Sequence, residues 1–319
     1  MKAFVSTRDR KRPDGFVPVR DANEAAPQRS ASSTSTAAIK HILACIDGTQ
    51  KDRYVLDQAL QVALRFSSHI DVLHVQFDVH GVTDAKRHEG LFDQLLAEPV
   101  ERATIEAAVR ARRHFTEWSA TCELPPRDCG TGMRDQLSME WREVIGYEAD
   151  VVAALGRVSD LVVIARPGRV PASSSMALEI ALFDTGRPVL MVPAGDPANL
   201  FHRPVIAWNG SREAARAVGF ALPFLSEFRG CVEIFAAPEG KHRTDTIELV
   251  RYLNWHGIVA ERIAADEASG MSLLAQASAS RSGLIVMGAY THGHYRQLLF
   301  GGMTRYVMEH AAIPVLFAH

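Results

Sequence analysis

The chain has 319 residues, 47% of them hydrophobic, which exceeds one average domain and suffices for packed cores in two. Its formal net charge of -2 gives no basic field for nucleic acid, and no apolar run approaches the ~20 residues that a bilayer-spanning helix needs. With no apolar signal core near the amino terminus and only 4 cysteines, a reduced, cytoplasmic protein is expected, without nucleic-acid or membrane partners.

Residues 1–38 carry Arg, Asp, Pro, Ser and Thr with few bulky apolar side chains, and read as a disordered leader. An apolar run from Ile42 to Ile46 predicts a strand, Asp47-Gly48-Thr49 a turn, and Tyr54, Leu56, Ala59, Leu60, Ala63 and Leu64 a helix, followed by a strand over Ile70 to Val75. A long helix is predicted from Glu98 to Ala120, with Pro99 in its first turn. Next come a third strand near Thr121 to Cys129, a helix over about Ser138 to Ala154, a strand over Leu161 to Ala165, a helix over Ser174 to Phe183 and a closing strand at Val189 to Val192. This makes a first domain at 39–195, and the turn-forming stretch Pro193 to Pro197 reads as a linker.

A second domain at 201–319 repeats the pattern. Its strands are predicted near Val205 to Trp208, Val232 to Phe235, Ile258 to Ile263, Leu284 to Gly288 and Val315 to Phe317. Helices are predicted over Arg212 to Leu225, Arg243 to Trp255, Ser272 to Ala279 and Gly302 to His310. The repetition is visible residue by residue: Ile46-Asp47-Gly48-Thr49 lies over Trp208-Asn209-Gly210-Ser211 at an offset of 162. Short apolar runs alternating with helices predict parallel strands buried on both faces, hence an α/β chain of two tandem doubly wound, Rossmann-like, five-stranded parallel sheets.

Ligands of such sheets collect beyond the carboxyl ends of the strands. In the second domain that edge carries Ala207, Asn209 and Ser211 after the first strand, Gly288, Thr291 and Gly293 after the fourth, and Gly301, Gly302, Met303 and Thr304 where the last helix opens. Glycines at a helix start let backbone N–H groups approach an anion, so a phosphate cradle is the hypothesis; a tight loop with close helix packing is the structural alternative. Neither a Walker loop nor a dinucleotide fingerprint is present.

The second domain resembles the universal stress protein family, whose signature is G-x2-G-x9-G-[ST] between the fourth strand and the last helix. Gly288 matches the first glycine and Gly301 the third; Thr291 replaces the second, with Gly293 two residues on, Gly302 replaces the closing hydroxyl residue, and Asn209 stands where the family has an aspartate. The resemblance implies an adenine nucleotide alpha hydrolase-like fold, ATP or a related adenine nucleotide as cofactor with Mg2+ as its companion ion, and a stress-response sensor or regulator. Carried over by position, Asn209 would face the adenosine part, with Gly288, Thr291, Gly301 and Gly302 lining the phosphates. It also implies pairing through the last strand of each domain, here Val189 to Val192 with Ile313 to Phe317, and leaves room for homo-oligomers.

In the first domain Asp47 is kept, but Ala165-Arg166-Pro167-Gly168-Arg169 replaces the glycine loop, so that half reads as a pairing partner. Ser173-Ser174-Ser175 beside Arg166 and Arg169 could seat an anion, or simply cap a helix. No metal ligands and no catalytic residues are assigned: His292-x-His294 has no nearby carboxylate, Cys122 and Cys129 lack a second pair, and no G-x-S-x-G elbow exists. Slow ATP hydrolysis is the most enzymatic reading. The alternative function is an interaction module with degenerate sites acting through protein partners; a nucleotide-using enzyme of a neighbouring superfamily lacks its pyrophosphatase loop.

Overall fold

The computed structural model describes residues 39–78, 92–122, 137–168, 173–236, 243–264, 269–289 and 302–319; the predicted leader at 1–38 lies outside them. Ten strands form one sheet: β1 (His41–Cys45), β2 (His69–Phe77), β3 (Ser138–Gly146), β4 (Leu161–Ala165), β5 (Val189–Val192), β6 (Val205–Trp208), β7 (Val232–Ala236), β8 (Ala260–Ala264), β9 (Ile285–Gly288) and β10 (Val315–Ala318). Their order is β3-β2-β1-β4-β5-β10-β9-β6-β7-β8, five strands from each half of the chain in mirrored sequence. Every pairing is parallel except β5 with β10, which run antiparallel with Leu190 opposite Leu316 and Val189 opposite Phe317. The expected pairing of the two last strands is therefore present. It converts two sheet edges that would otherwise be open into one continuous ladder.

Helices α1 (Asp52–Phe66), α2 (Phe92–Thr121), α5 (Arg212–Glu227) and α6 (Arg243–Trp255) cover one face of the sheet. On the other lie α3 (Glu148–Arg157), α4 (Ser173–Asp184), α7 (Gly270–Ala279) and α8 (Gly302–His310). With both faces covered, central strands have no polar side to keep, which is why β4 (LVVIA) and β5 (VLMV) are buried at every residue. Each core cluster contains residues of both halves, so the core runs unbroken across the β5–β10 seam. On the α1 side the halves also meet directly: Phe66 stacks edge-on against Phe224 at 6.0 Å, and Arg65 pairs with Glu227, its own equivalent at the offset of 162. Gln61 Oε1 accepts from the Leu200 N–H at 2.7 Å and Gln58 Nε2 donates to the Ala198 carbonyl at 3.1 Å, which ties the segment just after the predicted linker to α1.

Two expectations are corrected. The segment Ser138–Gly146, predicted as the start of a helix, is strand β3, paired with β2 along nine residues. Met139 is buried, half-buried and exposed residues alternate only from Arg142 to Gly146, and Trp141, Val144 and Ile145 favour the strand. The stretch 123–136, which held most of the predicted third strand, lies outside the described residues. Helix α2 begins at Phe92 rather than Glu98, so Pro99 sits inside it and not in its first turn. Leucines and alanine at 95–97 are strong helix formers and extend the helix past the one hydrogen bond that an exposed proline removes. Other boundaries agree within a few residues, and Cys45, Cys122 and Cys231 are free and half-buried.

Candidate functional site

The carboxyl end of the first strand is built alike in both halves. After β1, the Thr49 N–H donates to Asp47 Oδ1 at 3.0 Å around Gly48 at φ 79°. After β6, the Ser211 N–H donates to Asn209 Oδ1 at 3.1 Å around Gly210 at φ 73°. Both are Asx turns that need a residue free to adopt positive φ in the middle. Ser211 then caps α5 by accepting from the Ala214 N–H at 3.1 Å.

Three residues later the halves part. Asp52, 1% exposed, folds back over the β1 turn: its carboxylate accepts from the Asp47 and Gly48 N–H groups, both at 3.1 Å, and meets His114 Nδ1 at 2.8 Å. Arg110 Nε donates to the Gly48 carbonyl, and α2 lies so close that a Cβ on Gly48 would stand 2.4 Å from the Ala107 carbonyl oxygen. The amides that an anion would use in the first half are thus closed by the protein's own carboxylate and roofed by α2. Burial pushes the Asp52 carboxyl up to about 6, against the opposing pull of His114. Glu148, nearby at the start of α3, is pushed up to about 7 by burial and by the charge of Asp47.

At the position equivalent to Asp52 the second half has Ala214, which has no carboxylate to turn back. A cavity of about 450 Å3 opens instead beside the β6 turn, lined by Trp208, Gly210 and Val218 and, from α6, by Glu248, Leu249 and Tyr252. The Trp208 indole N–H is buried and has no acceptor among the described residues. A buried donor left unpaired costs free energy of about 1–3 kcal/mol until something accepts from it.

The predicted site residues distribute as follows. Ala207 is buried at the end of β6, and Met303 packs on the same core cluster. Asn209 is exposed with Oδ1 engaged in the turn, so Nδ2 is the atom it can offer. Gly288 ends β9 in register with Ala318, and a Cβ there would lie 2.5 Å from the Ala214 nitrogen, so close packing of α5 requires the glycine. Gly302 opens α8 with nothing among the described residues within 4 Å of an added Cβ, while Thr304 is buried at 6% exposure. Thr291, Gly293 and Gly301, with His292, His294, Arg296, Arg169 and Cys129, lie outside the described residues.

Arg166 does not wait for an anion in the first half. Its Nη1 donates to the Glu309 and Ala311 carbonyls at 3.2 and 2.9 Å, which caps the carboxyl end of α8 across the seam, while Lys51 Nζ donates to the Arg166 carbonyl at 3.0 Å. Residues 173–175 form the first turn of α4. Sequence reasoning missed Asp52, Trp208, Glu248 and Tyr252; only the first had a readable signal, since Asp52 lies over Ala214 in the same ungapped repeat.

Residues 233–319 match the model of the universal stress protein family. No curated protein matches the chain. Among solved structures, a universal stress protein from Archaeoglobus fulgidus DSM 4304 is similar at 17% identity and a TM-score of 0.63, over 87% of this chain and 97% of that one. A functionally unknown protein from Pseudomonas aeruginosa PAO1 is similar at 15% identity and a TM-score of 0.53, over 88% and 92%. At these identities the likeness is one of fold, and it extends over both halves. No helix among the described residues is long and apolar enough to cross a membrane. The universal stress protein family is thus the one whose model matches residues 233–319, and the doubled α/β fold around them is similar to that of a solved universal stress protein.

Proposed function

We propose that the chain is a stress-response sensor or regulator whose second half binds ATP or a related adenine nucleotide, while its first half serves as a closed pairing partner. The observation that carries this reading is the exchange of Asp52 for Ala214: the carboxylate that closes the first strand-end turn is missing where the cavity opens. Trp208 and Tyr252 offer aromatic faces to a base, Glu248 an acceptor for an exocyclic amine, and the Trp208 N–H a donor in want of an acceptor. The start of α8 at Gly302 supplies amides and a favourable dipole for an anionic tail. The family's own placement of nucleotide at this edge agrees with the reading.

Native mass spectrometry of the purified protein for retained nucleotide, followed by calorimetric titration with ATP, tests the reading. Retention or binding of one nucleotide per chain supports it. No retained nucleotide and no heat at millimolar ATP would remove it and leave a scaffold that acts through protein partners. Tyr252→Ala is expected to weaken binding by about 1–3 kcal/mol, the usual worth of one base stacked on an aromatic ring.

A further inference from the structure

The other end of the first half's sheet holds a second cluster. His41 and His69 open β1 and β2 and are paired in register, which sets their rings parallel at 5.8 Å between centroids and 5° between planes. Asp71, two residues further along β2, lies on the same face, with its side chain 5% exposed. We propose that His41, His69 and Asp71 form a binding site for a divalent transition-metal ion, with Zn2+ the ion their donors fit.

Four observations support the assignment. One ligand atom from each residue lies within 4.8 Å of the others, with His41 Nε2 3.1 Å from Asp71 Oδ2 and His69 Nε2 3.0 Å from Asp71 Oδ1. Tetrahedral zinc, with bonds of about 2.0–2.2 Å, holds its ligand atoms about 3.3 Å apart, a spacing that the two nitrogen–oxygen distances nearly have and to which the two imidazoles, within 4.8 Å, close as the ion enters. Two imidazoles and one carboxylate are a borderline nitrogen and oxygen set, which suits zinc better than calcium or magnesium.

Each ligand is also held from behind. His69 Nδ1 lies 2.8 Å from Ser138 Oγ, the His41 ring hydrogen-bonds the Val158 backbone, and Arg142 Nη1 donates to Asp71 Oδ2 at 2.6 Å. Outer partners of this kind orient metal-binding imidazoles and carboxylates. Arg142 occupies one lone pair of Oδ2, which leaves Oδ1 and the second Oδ2 lone pair to the ion. Finally, the side chains of His41 and His69 are 28% and 16% exposed, so solvent reaches the cluster and water can complete the coordination. On binding, the ion replaces the Nε2 protons that face Asp71, and those protons leave to solvent.

The test uses the full chain stripped with a chelator and titrated with Zn2+ by calorimetry, with Co2+ absorption as a reporter of coordination. One ion per chain is expected, with visible Co2+ bands, and His41→Ala and His69→Ala should each weaken binding at least ~100-fold while the circular dichroism is unchanged. Ser138→Ala, which keeps all three ligands, should lose about tenfold. Absence of heat at millimolar Zn2+, or one-per-chain binding that survives the His41→Ala/His69→Ala double variant, would overturn the proposal. Should the variants fail to fold, anomalous scattering at the zinc edge from wild-type crystals decides: a peak between the two Nε2 atoms and Asp71 supports the site, and a peak elsewhere or none refutes it.

Discussion

Asp52 and Ala214 occupy the same place in the repeat, yet one closes a turn and the other leaves it open. The closing carboxylate has a thermodynamic signature. Asp52 and Glu148 are raised to about 6 and about 7 by burial, so between pH ~4 and ~7 the native chain holds protons that the unfolded chain has released. Their contribution is complete below pH ~4 and is lost as the pH rises through the folded values. Urea midpoints at pH 5 and pH 8 should therefore differ, with the native protein less stable at pH 8, and Glu148→Gln should remove about 1–3 kcal/mol of that difference. The glycines make a second pair of expectations. Gly288→Ala drives a methyl against the Ala214 nitrogen and should cost about 1–3 kcal/mol of stability, whereas Gly302→Val meets none of the described residues and should leave the thermal midpoint nearly unchanged while weakening nucleotide binding. If Gly302→Val binds ATP as the wild type does, the α8 amides are not the anion site.

At the scale of elements, what could be read in advance follows burial. Strands β4, β5, β9 and β10 are short apolar runs buried on both faces, so composition alone marks them, and helices α5 and α8 fall within two residues of their predicted limits. Strand β3 was not legible, because an edge strand keeps polar residues such as Glu140, Arg142 and Glu143 on a pattern that also suits a helix. Of the site, the Asx turns at Asp47 and Asn209 were legible from their glycines and hydroxyl residues. The cavity was not, since it depends on where α6 stands relative to β6, and tertiary spacing leaves no local mark. Removing the Ser211 cap with Ser211→Ala should cost about 1 kcal/mol, read in thermal or urea unfolding. A charge in the seam should cost more: Leu316→Asp places a carboxylate opposite Leu190 in a fully buried ladder and is expected to lose about 3–5 kcal/mol.

For the whole molecule, one sheet and two core clusters shared by both halves make a single cooperative body of the described residues. Calorimetry should then give one unfolding transition with equal van't Hoff and calorimetric enthalpies, and two separated transitions would show that the β5–β10 seam couples the halves only weakly. Within that body the proposed division of tasks follows the first-strand turns, one sealed by Asp52 and α2, the other open beside Trp208 and Tyr252. Counting nucleotides per chain by calorimetric titration with ATP tests this division most directly. One is expected, unaffected by Asp47→Ala in the closed half and weakened by Tyr252→Ala in the open one. Two sites per chain, or none, would contradict it.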